Sequence, residues 1–107
     1  MIQEQTTWPI WFRTFGILLG CEGISVDQWV LRRLEENVVL LGIEPRGGEP
    51  RDLEHARKQV NAIHNAAKGR WRSADEDGQL AVKRVHSAVR CLREVMENQQ
   101  ALSVLGR

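Results

Sequence analysis

The sequence predicts an all-α fold: a four-helix bundle-like domain that ends in a long antiparallel helical hairpin. Apolar residues recur at steps of three and four along four separate stretches, which is the period of a helix that buries one face. Capping residues, glycines and prolines lie between these stretches, where helices would start and stop. We expect one domain over residues 1–107, with helices at about 8–20, 26–41, 50–70 and 74–102 and loose ends at 1–6 and 104–107.

The first predicted helix is apolar on nearly all sides, with Arg13 as its only charge. Such a helix should be buried on more than one face. The same apolar character would allow it to lie at a membrane surface, but it lacks the Lys/Arg-rich polar face of interfacial helices. No span across a membrane is expected, because Arg13 interrupts an apolar run that is shorter than the roughly 20 residues required.

The second predicted helix has clear signals at both ends. Ser25 and Gln28 match a capping box, in which the serine accepts a free N–H of the first turn. At the other end, Gly42 suits the left-handed position that follows a helix, and Ile43 can then pack back on the last turn.

The last two helices are predicted to form a hairpin. Pro50 can open the third helix, where its missing N–H costs little, and Gly69 is its expected stop. Ser73 and Glu76 match a capping box at the start of the fourth helix. Because the link between these two striped helices is short, they should pack side by side in opposite directions.

Length makes the fourth helix exceptional. About 30 residues span about 45 Å, whereas the third helix spans about 30 Å, so the fourth helix should overhang its partner. The overhang carries the apolar residues Val95, Met96 and Leu102. Unless the first two helices cover them, these side chains form a patch that favours contact with a second chain.

The clearest charge feature is the stretch 55–72, which contains no acidic residue. Its cations fall into two clusters, Arg57 and Lys58 near the start of the helix and Lys68, Arg70 and Arg72 near its end. Cations beside an aromatic ring such as Trp71 can hold a phosphate backbone and stack on a base. The helical rise separates the two clusters by roughly 15 Å, which counts against one continuous surface.

The distribution of charge matters more than the net charge of +1. Residues 1–45 hold three Lys/Arg and six Asp/Glu, whereas residues 46–107 hold twelve and eight. A chain with an acidic first half and a basic second half is suited to contact with nucleic acid or an acidic protein. It is equally compatible with an ordinary solvated helical surface.

No combination of residues predicts catalysis. His55, His64 and His86 have no partner at a recognised metal-ligand spacing, and Cys91 beside an apolar stripe is typical of a small buried hydrophobe. Two cysteines, Cys21 and Cys91, are too few for a disulfide framework, and the N-terminus lacks the basic region of a secretory signal. We therefore expect a cytoplasmic non-enzyme with no cofactor and no metal.

The leading hypothesis is a non-catalytic protein–protein interaction module, an adaptor or an inhibitor or regulator of a larger complex, that also forms a homodimer. Trp and Arg are favoured at the centres of such interfaces, and Trp71 at the hairpin tip should be exposed unless it caps the end of the bundle. The expected contact residues are Arg70, Trp71, Arg72, Val95, Met96 and Leu102. The alternative is a nucleic-acid-binding protein that uses Arg57, Lys58, Lys68, Arg70 and Arg72.

Overall fold

The fold is all-α, as predicted. The computed structural model describes the backbone of residues 6–105 and the side chains of residues 6–98. This part of the chain forms α1 (Trp8–Cys21), α2 (Gln28–Leu40), α3 (Leu53–Gly69) and α4 (Glu76–Leu105). Each helix begins and ends within a few residues of its predicted bounds, although α4 includes residues 104 and 105, which were expected to be loose.

The longest helix, α4, is the one along which α2 and α3 pack. Its 30 residues span about 45 Å, close to the 48 Å longest dimension of the molecule. Both α2 and α3 pack against it, α2 more extensively, and α1 packs on α2 and α3. Because the end of α2 at Leu40 and Leu41 lies beside the start of α4 near Gly78, α2 also runs antiparallel to α4. The hairpin is therefore one of two such pairings.

The N-terminal helix buries one broad face instead of all sides. Its aromatic side chains form a contiguous cluster, with ring centroids 4.9 Å apart for Trp11 and Phe15 and 5.8 Å apart for Trp8 and Trp11. On the opposite face, Ile10 and Ile17 are exposed. The expectation of burial on more than one side is thus wrong for the outer face of α1.

The end of α2 is a Schellman motif, as predicted from Gly42. Gly42 has a φ of +69°, and its N–H donates to the Val39 carbonyl at 3.0 Å. The next N–H, of Ile43, donates to the Val38 carbonyl at 3.0 Å. Trp8 of α1 then donates its indole Nε1–H to the buried Ile43 carbonyl at 2.6 Å. This hydrogen bond ties the start of α1 to the end of α2.

The predicted N-caps of α2 and α4 are wrong by two residues each. Asp27, not Ser25, caps α2 and accepts a backbone N–H at 3.0 Å. Asp75, not Ser73, lies at the start of α4 and accepts a backbone N–H at 2.8 Å. In both places a carboxylate lies closer to the first turn than the serine does, and a negative charge suits the positive end of the helix dipole.

The start of α3 also differs from the prediction. Pro50 is buried ahead of the helix and is not part of it. The cap is Asp52, whose carboxylate accepts a backbone N–H at 2.7 Å. The preceding loop is held by the buried side chain of Gln59, which donates to the carbonyls of Arg46 at 3.1 Å and Gly48 at 2.7 Å. These bonds fix the loop against α3.

Candidate functional site

The link between α3 and α4 holds Trp71 at the surface. The Trp71 N–H donates to the Lys68 carbonyl at 3.2 Å, which closes the last turn of α3. The side chain of Gln79 in α4 donates back to the Trp71 carbonyl at 3.1 Å. With its backbone tied to both helices, the indole is 37 % exposed. The prediction of an exposed Trp71 at the hairpin tip is confirmed.

A cleft of about 750 Å³ opens beside Trp71, between the end of α3 and the first turns of α4. Lys83 Nζ lies 5.8 Å from the centroid of the Trp71 ring. The lining residues are Asn65, Lys68, Gly69, Trp71, Arg72, Val82, Lys83 and His86. None of these described residues has a carboxylate, and three are cations, so the cleft attracts anions.

A polar cluster continues along the two helices from this cleft. Arg93 of α4 donates Nε–H to Asn61 Oδ1 at 3.0 Å, and its Nη2 group also donates to that oxygen. The same Nη2 lies 3.2 Å from Nδ1 of His64. Because a guanidinium only donates, this Nδ1 is the acceptor. His64 in turn packs edge-to-face on His86, with ring centroids 4.2 Å apart.

The environment of His64 favours its neutral form. Burial lowers the pKa of His64, and the neighbouring charges of His86, Arg93 and Lys68 lower it further. The protonated form of His64 is therefore disfavoured, and His64 adds little charge to this surface at neutral pH. Nε2 of His86 is buried and has no hydrogen-bond partner among the described residues.

We refer to this whole surface as the α3/α4 groove. It is formed by Asn61, His64, Asn65, Lys68, Trp71, Arg72, Lys83, His86 and Arg93. The two segments that build it, 55–72 and 78–93, contain no acidic residue in the sequence. The groove is therefore cationic over its whole length.

The position of Arg93 changes the interpretation of the basic stretch. Lys58 and Lys68 are separated by about 15 Å along α3, but Arg93 reaches across from α4 to Asn61 and His64, between them. Sequence reasoning missed Lys83 and Arg93 as members of the same surface. The available signal was the second acid-free segment, 78–93, on the helix predicted to pair with α3.

One of the predicted basic residues, Arg70, does not join the groove. The guanidinium of Arg70 turns towards α2, where Nη2 donates to the Gly42 carbonyl at 3.4 Å. The expectation that Arg70 shares a surface with Trp71 and Arg72 is therefore wrong, and its position near the end of α2 suits a cation. Arg57 is half-buried and makes an interaction within the fold.

The predicted apolar overhang of α4 is not exposed at its centre. Met96 is only 3 % exposed and belongs to the core, so its assignment to a surface patch is wrong. Val95 is half-buried and packs against the same core. The sequence predicts that α3 alone is too short to cover these positions. Because α2 also packs against α4, the helix has more than one neighbour that buries its apolar face. The side chain of Leu102 lies outside the described residues.

The structure also bears on the predictions for the cysteines, for metal binding and for a membrane span. Cys21 and Cys91 are both exposed, so the prediction that Cys91 is buried is wrong. Within the described part of the chain, no three His, Cys, Asp or Glu side chains come close enough to hold a metal ion. No helix among the described residues is both long enough and apolar enough to cross a membrane.

Comparison with known proteins does not indicate a function for this chain. The geometry and charge of the α3/α4 groove are the observations that bear on it. The chain matches none of the protein-family models, curated proteins or solved structures with which it was compared.

Proposed function

We propose that the protein is a non-catalytic nucleic-acid-binding module whose ligand lies in the α3/α4 groove. The observation that supports this proposal is the position of Arg93, which lies between Lys58 and Lys68 and so joins cations near the two ends of α3 into one surface. Lysine and arginine neutralise phosphates, and an exposed aromatic ring such as Trp71 offers a stacking platform for bases.

The groove has enough charge for a backbone of several phosphates. Its four cations are Lys68, Arg72, Lys83 and Arg93. Lys58 is exposed, and its spacing of seven residues from Asn65 and ten from Lys68 puts it on the same side of α3. The amides of Asn61 and Asn65 add neutral groups that can donate to phosphate oxygens.

Binding should depend on this surface and not on the protein as a whole. The net charge of +1 gives no general attraction to nucleic acid, since non-specific affinity comes from local phosphate contacts. The acidic first half of the chain supplies α1 and α2. It would keep that side of the molecule away from a polyanion.

The direct test is fluorescence anisotropy with labelled single-stranded and duplex oligonucleotides at low salt. Replacing Lys68 and Lys83 together with Gln should weaken binding by up to about 30-fold, at up to roughly 1 kcal/mol for each exposed ion pair. The control is a double variant that removes the same amount of charge elsewhere, Arg13→Gln with Arg32→Gln. Arg13 is exposed on α1 and Arg32 is exposed on α2. Absence of binding to either probe, or an equal loss in the control, would refute the proposal.

A protein–protein interaction module is the second candidate, and exposed apolar residues favour it. Ile10 and Ile17 lie two turns apart on the outer face of α1, and Ile17 is 60 % exposed. Val39 and Leu40 are exposed at the end of α2. Since Met96 is in the core, a homodimer or an adaptor contact would use these side chains instead of the predicted overhang.

Light scattering after size exclusion tests this second candidate. If α1 forms a dimer seam, the wild type should have twice the monomer mass, and Ile17→Lys should restore the monomer mass. Leu80→Lys, which places the same charge at an exposed position on α4, is the matched control. A monomer mass for the wild type at all concentrations would exclude self-association through α1.

A further inference from the structure

We infer that the Trp71 end of the α3/α4 groove takes an unpaired nucleotide, with its base stacked on the indole and its phosphate held by Lys68 and Lys83. The inference rests on the proposed function and specifies it: the preferred ligand is single-stranded nucleic acid. The occupant is identified by its chemistry, a planar aromatic base joined to an anionic phosphate.

Trp71 lies in a concave part of the surface. The indole is 37 % exposed, but it lines the wall of a cleft of about 750 Å³, a volume within the range of small-ligand sites. Val82, which also lines the cleft, is almost fully buried. The bases of a duplex are paired and stacked and present only their edges, whereas an unpaired base can turn into such a cleft and stack.

Three cations line the cleft around the Trp71 ring. Lys68 and Arg72 line the cleft from the α3 side, and Lys83 lines it from α4. Lys83 Nζ is 5.8 Å from the ring centroid, so a base that stacks here has a cation within reach of its phosphate. The flexible stem of a lysine lets it leave the ring surface and follow the phosphate.

The expected sequence preference is weak. Stacking tolerates any base, because every base has a π face. The one neutral amide that lines the cleft among the described residues is Asn65. Its side chain can donate to and accept from a base edge. We therefore expect binding to most single strands, with modest differences between bases.

The test compares binding to a single strand with binding to a duplex of the same sequence. Trp71→Ala should weaken binding to the single strand by about 5-fold to 150-fold, the range for one lost base stack. Binding to the duplex should change by less than about twofold, as expected for a ring that paired bases do not reach. Trp71→Phe keeps an aromatic face and should retain most of the affinity.

Trp29 provides a matched control. It is 56 % exposed on α2 and also lies beside a cation, with Arg33 Cζ 4.1 Å from its ring centroid. Trp29→Ala should leave binding to all probes unchanged. Circular dichroism of each variant verifies the fold.

The outcomes separate the inference from the proposed function. If the duplex binds as tightly as the single strand, or if Trp71→Ala weakens both equally, the inference is wrong while nucleic-acid binding stands. If no probe binds at low salt, both are wrong. A single strand that binds preferentially, and whose binding is weakened by Trp71→Ala but not by Trp29→Ala, supports both.

Discussion

Replacing Trp8 with Phe should destabilise the fold by roughly 2–4 kcal/mol. Trp8 is 6 % exposed and sits in the aromatic cluster of α1. Its Nε1–H donates to the Ile43 carbonyl at 2.6 Å, just beyond the Schellman ending of α2. Phe keeps an aromatic ring in the cluster but has no donor for this carbonyl.

Two losses make up the expected effect of Trp8→Phe. A buried acceptor left without its hydrogen bond costs about 1–3 kcal/mol. The void left by the smaller ring adds on the order of 1 kcal/mol when it is larger than a methyl group. For a chain of 107 residues, each kcal/mol should lower the melting temperature by about 4–8 °C.

Urea unfolding followed by circular dichroism gives the free energy of unfolding of each variant. Trp29→Phe is the matched control, because Trp29 is exposed on α2; its effect should stay within about 0.5 kcal/mol. If Trp8→Phe also changes the free energy of unfolding by less than about 0.5 kcal/mol, the bond from Trp8 to the Ile43 carbonyl does not stabilise the junction of α1 and α2.

Three further predictions concern α4 and its neighbours. Asp75→Ala should cost about 0.5–2 kcal/mol and Ser73→Ala under about 0.5 kcal/mol; the reverse order in urea unfolding would restore Ser73 as the cap. Met96→Glu should cost at least about 3 kcal/mol, because it places an unpaired charge in the core, and a native far-ultraviolet spectrum with unchanged stability would contradict this. Burial and the adjacent His86 lower the pKa of His64, so the unfolded chain binds the proton more readily, and stability should fall as the pH drops below about 6.5. Urea unfolding at neutral and acidic pH should show a smaller loss for His64→Asn than for the wild type, and equal losses would refute this assignment.

The helices were predictable because each carries its own periodic signal. The Schellman ending at Gly42 was also predictable, since only a few residues tolerate a φ of +69°. The actual capping residues of α2 and α4 were not predictable. Asp27 and Asp75 lie two residues after the predicted caps, Ser25 and Ser73, and compete with them for the same free N–H groups. The local sequence indicates which residues could cap a helix, but the path of the backbone determines which of them does.

The burial of Met96 could not be predicted from the stripe of α4 alone. A stripe shows which face of a helix is apolar, but not how far along it the neighbouring helices extend. In the structure α2 and α3 both pack along α4. Met96 lies in the core, and Val95 is half-buried against it.

The site was predictable only in part. The basic stretch followed from the sequence, and exposure of Trp71 was one of the two outcomes that the sequence left open. Arg70, in contrast, turns to the end of α2 at Gly42. The link of Arg93 to Asn61 depends on the register between α3 and α4, which the sequence does not specify. Long-range register therefore decides which cations share a surface.

The salt dependence of binding to a single strand tests the proposed function most directly. Four cations in the groove should give a slope of log affinity against log salt of about −2.8, at about −0.7 per neutralised phosphate. Replacing both Lys68 and Lys83 with Gln should reduce the slope to about −1.4. A wild type that does not bind at low salt, or a slope that both substitutions leave unchanged, would contradict the assignment of the α3/α4 groove as the nucleic-acid interface.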